Sequence, residues 1–111
     1  HENYKKKVLK AKDISTIVTG RRLGHPVRSI KTPFSREYAK AEYSNISDAD
    51  LEQLAVGALY KAAIEGNEQE GCFLAGQIAG LVDKEQTAKE IIEQIFEQTE
   101  NILNGAKKWV K

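Results

Sequence analysis

Methionine is absent from all 111 residues, cysteine occurs once, and proline only twice. A single cysteine, Cys72, excludes an internal disulfide. With no signal-like apolar stretch after His1, it suits a reducing cytoplasm. No apolar run approaches the roughly 20 residues needed to cross a bilayer, so no membrane association is expected. A reading frame opens with methionine, so its absence points to a processed N-terminus or to a segment of something longer. Metal ligands are scarce: His1 and His25 lie far apart and no carboxylates cluster at ligand spacing. What is present suits one soluble unit. With 41% hydrophobic and 30% charged residues, the chain holds enough apolar material for a modest core and is too apolar for wholesale disorder.

The formal net charge of +1 hides a segregation. Residues 1–36 carry ten Lys and Arg against Glu2 and Asp13, a balance of +8, whereas residues 37–100 carry fourteen acids against four lysines, a balance of −10. Lys107, Lys108 and Lys111 then make the tail basic. Such halves either lie against each other, or against oppositely charged parts of a larger protein, or offer a basic face to an anionic partner. Nucleic acid is not the expected partner, because no zinc-ligand set, RNA-recognition aromatic motif or helix-turn-helix accompanies the charge.

The fold class expected is α+β, mostly helical with a short two-stranded element. Residues 3–12 are good helix formers with Tyr4, Val8 and Ala11 on one stripe. The β-branched run Ile14–Thr19 reads as a strand, Gly20–Gly24 as a loop, and Val27–Ile30, after Pro26, as a second strand. Ser35 is placed to cap a helix over 36–43, and Ser47 to cap a longer one in which Leu51, Leu54, Ala55, Ala58, Leu59 and Ala62 recur at helical spacing. Asp83 with Gln86 suggests the start of a last helix carrying Ile91, Ile92, Ile95, Phe96, Ile102 and Leu103, stopped by Asn104-Gly105.

Gly71–Val82 is apolar apart from Gln77 and holds three glycines, each costing about 1 kcal/mol inside a helix. Two readings stand open: a buried helix threaded between neighbours, or a loop and helix start packed against a cofactor with Gln77 as its polar guide. His25, beside Pro26, lacks a partner for a nucleophilic dyad. Cys72 has no activating neighbour and reads as an inert buried thiol.

Four strings in order carry a resemblance: Tyr4-Lys-Lys-Lys-Val-Leu-Lys-Ala-Lys-Asp-Ile14, Gly24-His-Pro-Val-Arg28, Gly57-Ala-Leu-Tyr-Lys-Ala62, and Ala75-Gly-Gln-Ile-Ala-Gly-Leu-Val82 with Lys84-Glu-Gln-Thr87. Together they resemble the C-terminal third of the flavin-dependent enoyl-acyl-carrier-protein reductase II and nitronate monooxygenase family. The resemblance implies a parent FMN-binding TIM barrel of roughly three times this length, of which residues 1–111 form the small domain that closes as a lid over the barrel mouth. The barrel, the phosphate loops and the catalytic histidine would lie upstream, so no catalytic residue is expected in this segment. By the same resemblance Ala75, Gly76 and Gln77 would bind the cofactor, Phe73 and Leu74 would line the substrate tunnel, and His25 and Arg28 would sit in a signature turn near the active site. Leu74 stands where relatives often carry methionine.

The implied reaction is reduction of an enoyl double bond on acyl-carrier protein in fatty-acid synthesis, with FMN as cofactor and NADH or NADPH as co-substrate. The basic N-terminal stretch would attract the acidic carrier protein. Nitronate oxidation is the alternative within the family. A stand-alone helical interaction module is the alternative outside it, with Leu51, Leu54, Leu59, Ile91, Ile95 and Ile102 favouring a homodimer where the barrel is stripped away.

Overall fold

The computed structural model describes residues 1–109, the Lys107 side chain apart. Helix α1 (Glu2–Leu9) leads to an antiparallel hairpin of β1 (Thr16–Thr19) and β2 (Val27–Ile30), paired in the register Ile17↔Ser29 and Val18↔Arg28. Three short helices follow: α2 (Pro33–Ala41), α3 (Asp48–Ala55) and α4 (Ala58–Ala63). An extended segment and a 3-10 turn (Gln77–Leu81) then precede the long α5 (Ala88–Ala106), which ends in a second 3-10 turn at Lys107–Trp109. The chain is therefore mostly helical with one two-stranded sheet, as its sequence predicts.

Local chemistry moves several expected boundaries. Strand β1 starts at Thr16 rather than Ile14, because the Asp13 carboxylate and the Ser15 hydroxyl accept the amides of Ile14 and Lys12 and hold a turn there. Thr32, not Ser35, caps α2. Its hydroxyl accepts from the Ser35 amide while the Ser35 hydroxyl accepts from the Thr32 amide, and Pro33 takes the first helical position, where an N–H is not needed. Tyr43 falls outside that helix and is exposed.

Ser47 caps α3 as its sequence predicts, the hydroxyl accepting from the Asp50 amide at 3.1 Å. The helix expected to run on through Ala62 is broken at Val56-Gly57, where Gly57 takes φ of 76°. A left-handed residue cannot continue a right-handed helix, and glycine adopts that conformation without a Cβ penalty. The break rotates α4, so Leu51, Ala58 and Ala62 are buried while Leu54 and Leu59 face out.

The last helix begins at Ala88, five residues after Asp83. Thr87 and Glu90 make the reciprocal cap, with the Glu90 carboxylate accepting the Thr87 amide at 2.7 Å. Gln86 instead donates to Gln94. Asn104-Gly105 does not stop α5, because Gly105 does not enter the left-handed region that such a cap requires.

The core forms where α1, α4 and the end of β2 meet Phe73: Ile30, Ala62 and Phe73 are buried, with Tyr4, Val8 and Ala75 packed around them. Tyr4 and Phe73 meet at 4.9 Å between ring centroids, tilted by 55°, within the separation at which aromatic rings attract. The particle is elongated, at 59 × 34 × 19 Å, and its radius of gyration of 18.2 Å exceeds the value of about 13 Å for a compact chain of this length. None of the residues of α5 is buried, so its apolar face stands free. Among the described residues no helix is long and apolar enough to cross a membrane.

The charge segregation is used within the fold. Lys5 pairs with Glu85, Lys7 with Glu68, and Arg22 with Asp48, each joining the basic N-terminal stretch to the acidic remainder. Arg22 does more, since its guanidinium also donates to the Ser44 and Ile46 carbonyls and its amide donates to Glu42. It therefore fastens the hairpin turn to the loop between α2 and α3.

Candidate functional site

Residues 73–75 run extended along the free edge of β2. The Ile30 amide donates to the Phe73 carbonyl at 2.8 Å and the Ala75 amide to the Arg28 carbonyl at 3.2 Å, bracketing a bridge between Ser29 and Leu74. Gly71–Val82 is thus neither a buried helix nor a helix start in the α sense, but a third partial strand followed by a 3-10 turn. In extended backbone successive side chains alternate faces. Phe73 enters the core beneath α1 and is fully buried, while Leu74, 39% exposed, points to the other face. The two residues expected to line one tunnel therefore lie on opposite sides of the sheet.

On the Leu74 side the chain encloses a half-open cavity of about 240 Å³ between the hairpin and helices α2 to α4. Its floor is Thr19, Tyr38, Ala58 and Cys72, each no more than 8% exposed. Around the rim stand His25, Glu52, Leu59 and Leu74. His25 arrives there through the turn closed by its amide on the Gly20 carbonyl at 3.0 Å. Two expected site residues that are far apart in sequence, His25 and Leu74, thus share one cavity. Arg28 does not join them. It alternates to the opposite face and donates to the Thr16 hydroxyl at 2.9 Å.

Burial keeps the floor of this cavity neutral. Burial pushes the Cys72 thiol up from its ordinary value, a shift that the neighbouring Ser29 hydroxyl offsets only in part. A protonated thiol is a poor nucleophile. The Ser29 hydroxyl is itself fully buried, and no partner among the described residues meets it with hydrogen-bond geometry. Tyr38 is also raised, first by burial and then by the carboxylates of Glu42 and Glu52 and the Cys72 thiol. Tyr38, Ala58 and Glu52 as cavity residues are not found by sequence reasoning. Their spacing marks two of them as helix-face residues, but nothing local pairs them with Cys72.

Ala75, Gly76 and Gln77 continue directly from Leu74. Ala75 is half-buried against the core, and Gly76 and Gln77 are exposed at the start of the 3-10 turn. The turn leans on α1. A Cβ at Gly80 would lie 2.8 Å from the Lys12 carbonyl carbon and 2.9 Å from the Asp13 amide nitrogen, so only glycine fits there. Gly76 is different. Its backbone, φ −71° and ψ 171°, is open to any residue, and an added Cβ would meet only Ile78, at 3.8 Å. The glycine at 76 leaves bare backbone facing outward, a surface on which a flat ligand can lie closely. Among the described residues no group of three His, Cys, Asp or Glu side chains could hold a metal ion.

The sequence model of the nitronate monooxygenase family matches residues 1–98, and the chain belongs to that family. Its structure is similar to FabK from Thermotoga maritima, with a TM-score of 0.91 and 37% identity, covering 99% of this chain and 35% of that one. A methionine-to-alanine mutant of the same FabK matches with a TM-score of 0.80 and 34% identity, over 99% of this chain and 32% of that one. The chain spans about a third of the length of these structures. No curated protein matches it.

Proposed function

We propose that this chain is the C-terminal part of an FMN-dependent oxidoreductase that reduces the enoyl double bond of an acyl thioester, with NADH or NADPH as electron donor. The observation that carries this reading is the likeness to FabK over 99% of the chain at 37% identity. Within the parent protein the segment is the lid over the mouth of a flavin-bearing barrel, where barrel active sites lie.

The residues present fit the flavin. Gly76 exposes backbone that no internal contact requires to be glycine, and Ala75 before it is small. These two would let the ring approach closely, and the exposed Gln77 amide would orient it. Held against Gly76 and Gln77, FMN would supply the hydride-transfer chemistry between NAD(P)H and the β-carbon of the substrate, with a proton completing the reduction at the α-carbon. This chain's residues exclude water and position the acyl chain along Leu74. His25 is a rim residue here, and the catalytic histidine would lie upstream of this chain.

The acidic acyl-carrier protein is the proposed partner of the basic N-terminal stretch, and the cytoplasm the proposed compartment. Lys6, Lys10, Lys12, Arg21, Lys31 and Arg36 are exposed and stand outside those three ion pairs, and they are the cations that would meet the carrier. Nitronate oxidation, with O2 taking the electrons, is the second reading, favoured by the family match over residues 1–98. NAD(P)H consumption by the complete flavin-loaded protein separates the two. Turnover with a crotonyl thioester supports the first, and O2 uptake with an alkyl nitronate and none with the thioester replaces it by the second. The free face of α5 favours a third reading, an interaction module in its own right. Retention of all enoyl reduction by a protein lacking residues 1–111 would favour that one.

A further inference from the structure

We infer that the cavity beneath the hairpin is the subsite for the distal alkyl tail of the acyl substrate, and that Ala58 and Tyr38 at its floor set the longest chain accepted. This rests on the acyl-thioester reading above and adds a location and a length limit to it. Size selects the occupant. Pockets for whole cofactors begin at roughly 300 Å³, so about 240 Å³ is too small for a flavin or a nicotinamide dinucleotide. An apolar cavity of about 150 Å³ holds benzene, so the space here takes a tail of roughly eight to ten carbons.

Chemistry selects it too. The floor carries no charge: Thr19, Tyr38, Ala58 and the protonated Cys72 thiol offer a surface suited to methylenes. The ionisable groups His25 and Glu52 stand at the rim, where the polar end of an amphipathic molecule would lie. Position completes the argument. Leu74 forms one wall of the cavity and is joined by Ala75 to the bare backbone at Gly76, so a chain whose reacting end lies at the flavin edge passes Leu74 on its way in.

The test uses saturated butyryl-pantetheine and decanoyl-pantetheine, which bind without being reduced, titrated calorimetrically into the complete flavin-loaded protein. Burying one methylene is worth roughly fourfold in affinity, so decanoyl-pantetheine should bind at least thirtyfold more tightly than butyryl-pantetheine. Ala58→Leu, which fills the floor, should reduce that preference to fivefold or less. Ala55→Phe, at the exposed rim, does the same without touching buried packing and serves if Ala58→Leu does not fold. Equal affinity of the two thioesters, as when a segment of a longer chain already fills the cavity, overturns the inference. So does a preference that survives in both folded variants. A chain-length preference in a protein that reduces no enoyl thioester leaves the subsite standing and removes the enzymatic reading.

Discussion

The Tyr4 hydroxyl donates to the Leu74 carbonyl at 2.6 Å, joining the first helix to the residue at which core, cavity and proposed flavin edge meet. Tyr4→Phe removes that bond while keeping the ring on Phe73. The expected loss is about 1 kcal/mol, the usual net worth of one hydrogen bond, seen as a lower urea midpoint with an unchanged slope. A change in slope would instead mean that the cut loosens the whole segment.

Alkaline pH should destabilise the fold in two stages. Cys72 ordinarily titrates at 9.0 and Tyr4 and Tyr38 at 10.0, and burial raises all three in the folded chain. Their neutral forms are favoured on folding, so the stability they contribute is complete below those values and is lost as pH rises through the folded ones. Chemical denaturation between pH 8 and pH 11 should show the decline starting near pH 9. Cys72→Ala should delay its onset by about one pH unit.

Two glycines should respond oppositely to alanine. Gly80→Ala places a methyl against the Lys12–Asp13 backbone and should lower stability by about 1–3 kcal/mol, the cost of overpacking. Gly76→Ala should leave the melting temperature of the flavin-free protein within a degree or two and weaken FMN binding by tenfold or more. Flavin affinity untouched by Gly76→Ala would place the ring elsewhere.

Arg22→Ala should cost about 1–2 kcal/mol, because two guanidinium bonds to the α2–α3 loop and one to Asp48 at the start of α3 go, while the exposure of Asp48 keeps its share of the ion pair small. Charge reversal at Arg22 is therefore a poor probe of carrier-protein attraction. Lys10→Glu with Arg21→Glu, which leave the loop fastened, should raise the carrier-protein KM several-fold at low salt and by much less at 0.5 M salt.

Along α5, Ile92 is 56%, Ile95 57%, Phe96 67% and Ile102 71% exposed. An apolar stripe of this extent drives association. The isolated chain should sediment with a concentration-dependent mass, and Ile95→Glu with Phe96→Glu should return it to a monomer. A monomer at every concentration in the unaltered chain would show that the stripe alone does not self-associate. Leu51, expected to join this exposed set, is fully buried and does not contribute.

Signals carried by single residues proved legible. The hairpin strand Val27–Ile30 follows from Pro26 and β-branching, and the α3 cap from Ser47 with its acidic neighbours. Where two adjacent signals compete, tertiary context decides. Helical spacing runs unbroken from Leu51 to Ala62, yet Gly57 breaks it, because only the broken path brings Ala58 over Cys72, whose amide donates to the Ala58 carbonyl at 2.9 Å. The site divides the same way. The outward Gly76 and Gln77 lie on a stretch that composition singles out, whereas the cavity is made from five elements, and no window of sequence contains it. The Phe73–Leu74 pair shows the cause most simply: apolarity marks both, and only strand pairing says which faces where.

That alternation also restricts how this chain can change. From Cys72 to Ala75 a substitution at one residue alters either the packing under α1 or the cavity wall, and leaves the other alone. Inserting or deleting a single residue there would exchange the two roles at once, carrying Phe73 into the open and Leu74 into its place under Tyr4. The segment can therefore be retuned side chain by side chain, but its length is fixed, and ligand preference can drift at Leu74 without disturbing the fold that presents it.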